Sequence, residues 1–375
     1  MVLLIGNYEP DQQQSMQRFG SMMLDGLRAA GIAAEMIKPQ PVFGNFRAAG
    51  HLAAKWLGYI DKFLIFPFRL KAKLAGRPAI VHISDHSNAV YTRCIRHAPV
   101  LVTCHDLLAV RGGLGEATDS PASCSGRWLQ RWILLGLQRA TAIACASGAT
   151  LHDAERLLAG KSPAPQLSLI GLGLNYPYRR ITEEEATERL RPVARLSAAD
   201  EFILHVGSNL RRKNRDAVLR IFARCKQAWA GRLVFAGDAL NAELRTLAHQ
   251  LGISADVIEI AGPSNETLEA LYNRATALVY PSRFEGFGWP VAEAQACGCP
   301  VVCSDREPLP EVAGDAALMH PVDEEAGFAE DVLRLTSAEE RAHWSEKSLR
   351  NAQRFAPQRM IEQYVALYRS LGAQL

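Results

Sequence analysis

Nine short runs of aliphatic and β-branched residues, each followed by a stretch of helical spacing, constrain this chain more than any other feature. Four lie in the first half: "VLLIG" (Val2–Gly6), "AIVHI" (Ala79–Ile83), "PVLVTC" (Pro99–Cys104) and "AIACA" (Ala142–Ala146). Five lie in the second: "FILHVG" (Phe202–Gly207), "RLVFAG" (Arg232–Gly237), "VIEIAG" (Val257–Gly262), "ALVYP" (Ala277–Pro281) and "PVVCS" (Pro300–Ser304). The runs are continuous rather than alternating, the pattern of strands buried on both faces. Met16, Phe19, Met23 and Leu27 recur between the first two at helical spacing. Strand and helix in alternation imply parallel sheets covered by helices, and right-handed crossovers make each half a doubly wound α/β domain.

A chain of 375 residues, 48% hydrophobic and 22% charged, accommodates two such cores. The charge-rich stretch "YPYRRITEEEATERLRPVARLSAAD" (Tyr176–Asp200) interrupts the apolar rhythm and marks the join. The expected division is 1–180, then 196–355, then a last helix over 356–375 beyond Phe355 and Pro357. Ligands of open parallel sheets bind beyond the carboxyl ends of the strands, so two such domains facing each other would enclose a central cleft.

Residues 1–180 carry 20 Lys/Arg against 11 Asp/Glu, whereas 191–375 carry 21 against 24, so the net charge of +3 hides a basic front half suited to an anionic ligand or surface. The N-terminus turns polar too soon for a secretory signal and no apolar run approaches the ~20 residues of a spanning helix, which points to the cytoplasm. The eight cysteines lack paired CxxC spacing and read as buried thiols rather than a zinc site. Nothing points to nucleic acid.

The densest chemistry lies in "YPSRFEGFGWPVAEAQACGCPVV" (Tyr280–Val302). Pro290 fits the first helical position, and Gly286 and Gly288 permit a turn whose amides, with the helix dipole, favour an anion such as a diphosphate. Glu293, placed in the first turn, suits the vicinal diol of a ribose, and Glu285, before the helix, suits the hydroxyls of a sugar. The alternative is a pair of solvated carboxylates complementing the dipole. "HVGSNLRRKNRDAVL" (His205–Leu219) ends another strand and presents Arg212 and Lys213 before a helix, either as diphosphate ligands or as a solvated basic turn.

Glu285 and Glu293 with seven residues between them, the following "AQACGCPVVCSD", the "RKN" of Arg212–Asn214 and "LPEVAGDAAL" (Leu309–Leu318) resemble the retaining nucleotide-sugar glycosyltransferases of family 4, over nearly the whole chain. The resemblance implies the GT-B fold, two Rossmann-like domains with the second binding the donor, and a C-terminal helix that crosses back to the first. It assigns Glu285 to the donor sugar, Glu293 to the ribose, and Arg212 and Lys213 to the diphosphate. Phe287, Gly288, Gly207 and Ser208 complete the phosphate and sugar contacts, and Ser264 lies in the loop that meets the base. His105, just past a strand in "VTCHDL", is assigned to the donor sugar near the reacting carbon, with Asp106 orienting it, touching the acceptor or capping a helix. The chain departs from the pattern at "NYEPDQQQSMQ" (Asn7–Gln17), where many relatives have two glycines and where Gln14 and Ser15 are the candidates left, and at Trp289, where a smaller residue is usual.

The resemblance is nearest to mannosyltransferase-like members, which implies a hexose, with GDP-mannose as the leading donor and UDP-sugars open, passed to a glycan or lipid-linked acceptor in surface polysaccharide assembly. No Asp-x-Asp occurs, so no metal cofactor is expected and the two cations take its place. Attack on the face that the leaving group vacates is the preferred retaining route, a phosphate oxygen taking the acceptor proton. In 53–77, Trp56, Tyr59, Phe63 and Phe66 interleave with cations, as in helices lying on anionic bilayers or in a helix covering the first sheet. "AGKS" (Ala159–Ser162) has Glu155 where a P-loop needs Gly, and "GLG" (Gly171–Gly173) lacks a third glycine. The remaining alternatives are an epimerase or phosphorylase of the same fold, or a non-catalytic partner.

Overall fold

The computed structural model describes residues 1–375 apart from 12, 45–55, 120–121, 161 and 194. Residues 53–55 of the basic segment and Lys161 of the "AGKS" stretch therefore lie outside the described residues. The chain divides into two compact units, Met1–Asn175 with Pro357–Leu375, and Tyr176–Ala356.

The first unit carries β1 (Val2–Ile5), β2 (Ala34–Ile37), β3 (Ile80–Ile83), β4 (Val100–Cys104), β5 (Ala142–Cys145) and β6 (Gln166–Leu169), in the order β2-β1-β3-β4-β5-β6. The second carries β7 (Phe202–Gly207), β8 (Arg232–Gly237), β9 (Val257–Ala261), β10 (Ala277–Tyr280), β11 (Val301–Ser304) and β12 (Leu318–His320), in the order β12-β11-β10-β7-β8-β9. Every ladder in both sheets is parallel. The order reverses once in each, between β1 and β3 and between β7 and β10, so each sheet has one place where adjacent loops part and leave a crevice at the carboxyl ends.

The nine apolar runs are β1, β3, β4, β5 and β7 to β11. The strands that the sequence did not announce, β2, β6 and β12, are all sheet edges, and none of their residues is fully buried. An edge strand needs no continuous apolar run because one flank faces water. The cores are built from the interior strands, with Leu3, Val81, Val102 and Ile143 meeting Phe66 and Leu137 in one unit, and Ile203, Phe235, Val279 and Val302 meeting Phe222 and Phe328 in the other.

The charged stretch expected as a join is part of the second unit. The backbone N–H of Arg179 donates to Glu269 Oε1 at 2.9 Å, that of Ile181 to Asn273 Oδ1 at 3.0 Å, and the helix Glu183–Leu190 sends Arg189 Nη1 to Glu269 Oε2 at 2.5 Å. The helix Asn265–Arg274 thus takes backbone N–H groups and one charge, Arg189, of this stretch, and the first unit ends at Asn175 rather than at residue 180.

The helix Pro357–Ser370 is anchored within the first unit by polar atoms. His82 Nδ1 lies 2.7 Å from the Tyr368 hydroxyl, His82 Nε2 lies 2.8 Å from Thr103 Oγ1, and that hydroxyl lies 2.8 Å from Tyr364. Residues 56–74 are helical, with a wider π turn over Asp61–Ile65. Phe66 is buried and Tyr59 and Phe63 are half-buried, the Phe63 ring meeting Trp132 at a tilt of 48° with 5.1 Å between centroids. Of Trp56, Tyr59, Phe63 and Phe66 only Trp56 is exposed, and Ile60, Leu64 and Phe68 accompany it. No helix among the described residues is long and apolar enough to cross a membrane.

Burial lowers the pKa of His82 in the first unit and of His205 in the second to about 3. Below about pH 6.5 the unfolded chain binds protons that the folded units refuse, so stability falls as pH drops from 6.5 toward 3, by about 1.4 kcal/mol per pH unit for each histidine. Urea unfolding at pH 7 and pH 5 should reveal this loss, and His82→Gln or His205→Gln should each flatten the dependence; an unaltered slope in both variants contradicts the assignment.

Candidate functional site

The reversal point of the second sheet collects the residues that the sequence singles out. β7 ends at Gly207, and the chain passes through Ser208 into a short turn, Arg211–Lys213, before the helix Arg215–Cys225. Asn214, between turn and helix, is left-handed at φ 54°, a conformation that asparagine tolerates better than other residues with a Cβ. Its side chain explains the position: Nδ2 donates to the Pro281 carbonyl at 2.9 Å and Oδ1 accepts from Arg283 Nη2 at 3.0 Å. With Arg283 N donating to the Arg212 carbonyl at 2.8 Å, the loops after β7 and β10 are stitched together.

This stitching aims three charges at one another. Glu285 accepts from Arg212 Nη1 through Oε2 at 2.8 Å and from Lys213 Nζ through Oε1 at 2.8 Å. The Tyr280 hydroxyl, at the end of β10, donates to Glu285 Oε1 at 2.8 Å and accepts from Lys213 Nζ at 2.5 Å. Glu285, Lys213 and Tyr280 are all buried. Burial opposes ionisation of Glu285, yet Lys213 and Arg212 beside it outweigh that cost and bring its pKa down to about 2. Tyr280 stacks on His205 at 5.8 Å, whose Nδ1 donates to the Val279 carbonyl at 2.9 Å. Sequence reasoning missed Tyr280, although the strand-end tyrosine of "ALVYP" directly precedes the glutamate loop.

Two glycines make room. Gly237, at φ 127°, faces Gly207 across the β7–β8 ladder, and a Cβ there would meet the Gly207 carbonyl oxygen at 2.2 Å. Gly288, at φ 99°, precedes the helix Trp289–Ala296, where a Cβ would stand 2.6 Å from Leu309 Cδ2. The helix starts at Trp289, so Pro290 is its second residue rather than its first, and Glu293 lies beyond the first turn instead of within it. Glu293 is buried, accepts from the Tyr272 hydroxyl at 2.9 Å, and acts electrostatically on Lys213. The Phe287 ring packs edge-on against Phe355 at 5.7 Å. Ser208 is half-buried in the loop after β7. The Ser264 hydroxyl caps the helix Asn265–Arg274, accepting from Thr267 N at 3.1 Å.

In the first unit, His105 is buried just past β4, with Nε2 3.0 Å from the Ser84 carbonyl and its ring edge-on to Phe19 at 4.8 Å. Burial lowers its pKa, Asp85 only partly offsetting the effect, so the imidazole is neutral near pH 7. Asp106 Oδ1 accepts from Leu108 N at 3.1 Å, just before the helix Leu108–Gly113, whose N-cap position is held by Leu107. Ser15 is exposed, and the polar groups at the β1–β3 reversal are others: Asn7 Nδ2 donates to Asp85 Oδ2 and to Gln13 Oε1, each at 2.6 Å, and Asn88 Nδ2 donates to Asn7 Oδ1 at 3.1 Å. His86 Nδ1 lies 3.2 Å from Asp85 Oδ1. Burial opposes the charge of Asp85, but His86 holds its carboxyl well below the usual range. The run "SDHSN" directly after the "AIVHI" strand was the available signal for this cluster. Among the described residues no group of three or more His, Cys, Asp or Glu side chains is placed to hold a metal ion.

Comparison with known proteins agrees with this architecture. Residues 186–351 match the family model described as Glycosyl transferases group 1. A stretch of 108 residues is 40% identical to O-antigen chain mannosyltransferase B of Escherichia coli, covering 28% of each chain; the first curated relatives are all matched over less than half of their own length. Sucrose-phosphate synthase of Thermosynechococcus elongatus superposes with a TM-score of 0.75 at 21% identity, over 99% of both chains. The Anabaena protein HepE, in complex with UDP and glucose, superposes with a TM-score of 0.74 at 15% identity, over 99% of this chain and 100% of that one. The fold is GT-B, with two Rossmann-like units.

Removing one partner of a buried ion cluster leaves the other charge uncompensated, at a cost of about 3–5 kcal/mol. Lys213→Met should destabilise by about that amount in urea unfolding, and combining it with Glu285→Gln should recover at least about 1 kcal/mol of the summed losses. Strict additivity would mean that the pair is not coupled.

Proposed function

We propose that the chain is a nucleotide-sugar-dependent hexosyltransferase that acts with retention, its donor bound by the second unit. The observation that carries the reading is the Arg212–Lys213–Glu285 cluster, set at the carboxyl ends of β7 and β10 where that sheet reverses. Two cations face one carboxylate, so the cluster keeps a net positive charge suited to a diphosphate. As the diphosphate draws Arg212 and Lys213 toward itself, Glu285 is released to accept hydrogen bonds from the hydroxyls of the sugar. Glu293 takes the ribose diol, the loop at Ser264 takes the base, and the backbone around Gly207, Ser208, Phe287 and Gly288 completes the phosphate and sugar contacts.

In the transfer step the bond from C1 of the sugar to the phosphate oxygen breaks and its electron pair stays on that oxygen. The acceptor oxygen bonds to C1 on the same face and its proton passes to the phosphate. Arg212 and Lys213 stabilise the growing charge of the leaving group, and the neutral His105 serves as a hydrogen-bonding residue of the first unit. Mannose from GDP-mannose is the preferred donor, supported by the stretch of likeness to an O-antigen mannosyltransferase, with a glycan or lipid-linked acceptor in surface polysaccharide assembly.

A thermal-shift panel of GDP, UDP, ADP and their sugars should give the largest stabilisation with GDP and GDP-mannose. Glu285→Ala should lower transfer by on the order of 100-fold or more while nucleoside diphosphate binding is kept, because the cations remain. Transfer by this variant at the wild-type rate would remove the role assigned to Glu285, and no stabilisation by any nucleotide would remove the donor site itself.

A further inference from the structure

A cavity lies at the opposite end of the first sheet from Asp85 and His105. It is a groove of about 820 Å³ between the end of the helix Phe66–Leu74 and the turn Arg93–Ala98. Arg77 and Pro78 lead into β3 and the Arg93–Ala98 turn leads into β4, so the groove opens at the amino ends of these strands. Asp85 and His105 stand at their carboxyl ends. A groove of this size falls within the range of roughly 300–1,000 Å³ typical of small-molecule sites.

Its lining is amphiphilic and one-signed. Leu64, Pro67, Phe68 and Leu74 supply the apolar wall. Lys71, Arg77, Arg93 and Arg96 stand around it, and no carboxylate lines it. Phe68 is 73% exposed and Leu64 61% exposed, and Trp56, 62% exposed, continues the same stripe. Residues four apart drift round an α-helix in one direction, and the wider π turn over Asp61–Ile65 turns them back, which keeps Trp56, Ile60, Leu64 and Phe68 aligned. The neighbouring helix Cys124–Leu137 extends the surface: Trp132 packs on Phe63 and lies under the Arg93 guanidinium at 4.2 Å, and Trp128, one turn earlier, is 79% exposed. Large exposed side chains in such a row mark an interaction surface rather than scatter.

We propose that this groove binds an anionic phospholipid of a bilayer surface, its phosphate among Arg77, Arg93 and Arg96 and an acyl chain along Leu64, Pro67 and Phe68. A water-soluble anion would use the cations and leave the exposed apolar row without purpose; a neutral apolar partner would leave four cations unmatched. An anionic amphiphile satisfies both. The site is distinct from the diphosphate cluster, and the inference holds whether or not the transfer proposed above is correct.

The full chain should co-sediment with vesicles of phosphatidylcholine mixed with phosphatidylglycerol and not with phosphatidylcholine alone, with retention falling as salt is raised. Dihexanoyl phosphatidylglycerol below its micellar concentration should bind in calorimetry. Arg93→Glu with Arg96→Glu should weaken both by about tenfold or more. Phe68→Ser should lower vesicle retention, and Ala98→Trp, which fills the groove, should block the short-chain lipid. All variants should keep the wild-type thermal shift with nucleoside diphosphate, which separates this test from that of the donor site. Equal retention on neutral vesicles, no binding of the short-chain lipid, or wild-type binding by the charge-reversed and groove-filled variants would each overturn the proposal.

Discussion

A carboxylate buried in a protein interior must be compensated, and Glu285 shows what that demand imposes. Its two oxygens are satisfied by Arg212 and Lys213 from the loop after β7 and by Tyr280 at the end of β10, while Glu285 itself lies in the loop after β10. Those loops cannot drift apart without stranding a charge, which would cost several kcal/mol. Asn214 adopts an uncommon backbone conformation in which its carboxamide bonds both the Pro281 carbonyl and Arg283. The two loops are therefore held together before any ligand arrives, and the positive excess of the cluster is already in place.

The arrangement depends in turn on the topology of a parallel sheet. Adjacent strands β7 and β10 are separated by some seventy residues of sequence, yet their ladder pairs Ala277 with Ile203 and Leu278 with Leu204, bringing the two loops side by side. The first unit repeats the logic with different chemistry. Asn7 after β1 and Asp85 after β3 meet at the reversal of that sheet, and the amino ends of β3 and β4 are left for the basic, apolar groove.

Much of this was legible in the chain, and the gaps have physical causes. Interior strands announce themselves because both faces must be apolar; of the four edges β9 still carries an apolar run, whereas β2, β6 and β12 stay silent because an edge is half wet. Arg212, Lys213, Glu285 and Glu293 could be chosen by residue type and by the glycine and proline around them. Tyr280 could not, since a tyrosine at a strand end is ordinary until its hydroxyl is seen between a lysine and a glutamate. Trp56, Tyr59, Phe63 and Phe66 left open whether 53–77 lies on a bilayer or covers the first sheet; in the structure Phe66 is buried while Trp56, Leu64 and Phe68 are exposed, with a π turn over Asp61–Ile65. The stretch 176–195 reads as a solvated join because Glu269 and Asn273, which accept from its backbone N–H groups, lie some ninety residues later.

The amino-acid sequence by itself determined the alternation of buried strands and helices, the existence of two doubly wound halves, and which charged residues flank the strand ends, since all of these follow from local pattern and residue chemistry. Only the tertiary structure decided which charges meet, which histidines lose their water and stay neutral, and which aromatic residues remain outside. Those outcomes depend on distances between segments remote in sequence, and burial, hydrogen bonding and Coulomb attraction act through space rather than along the chain.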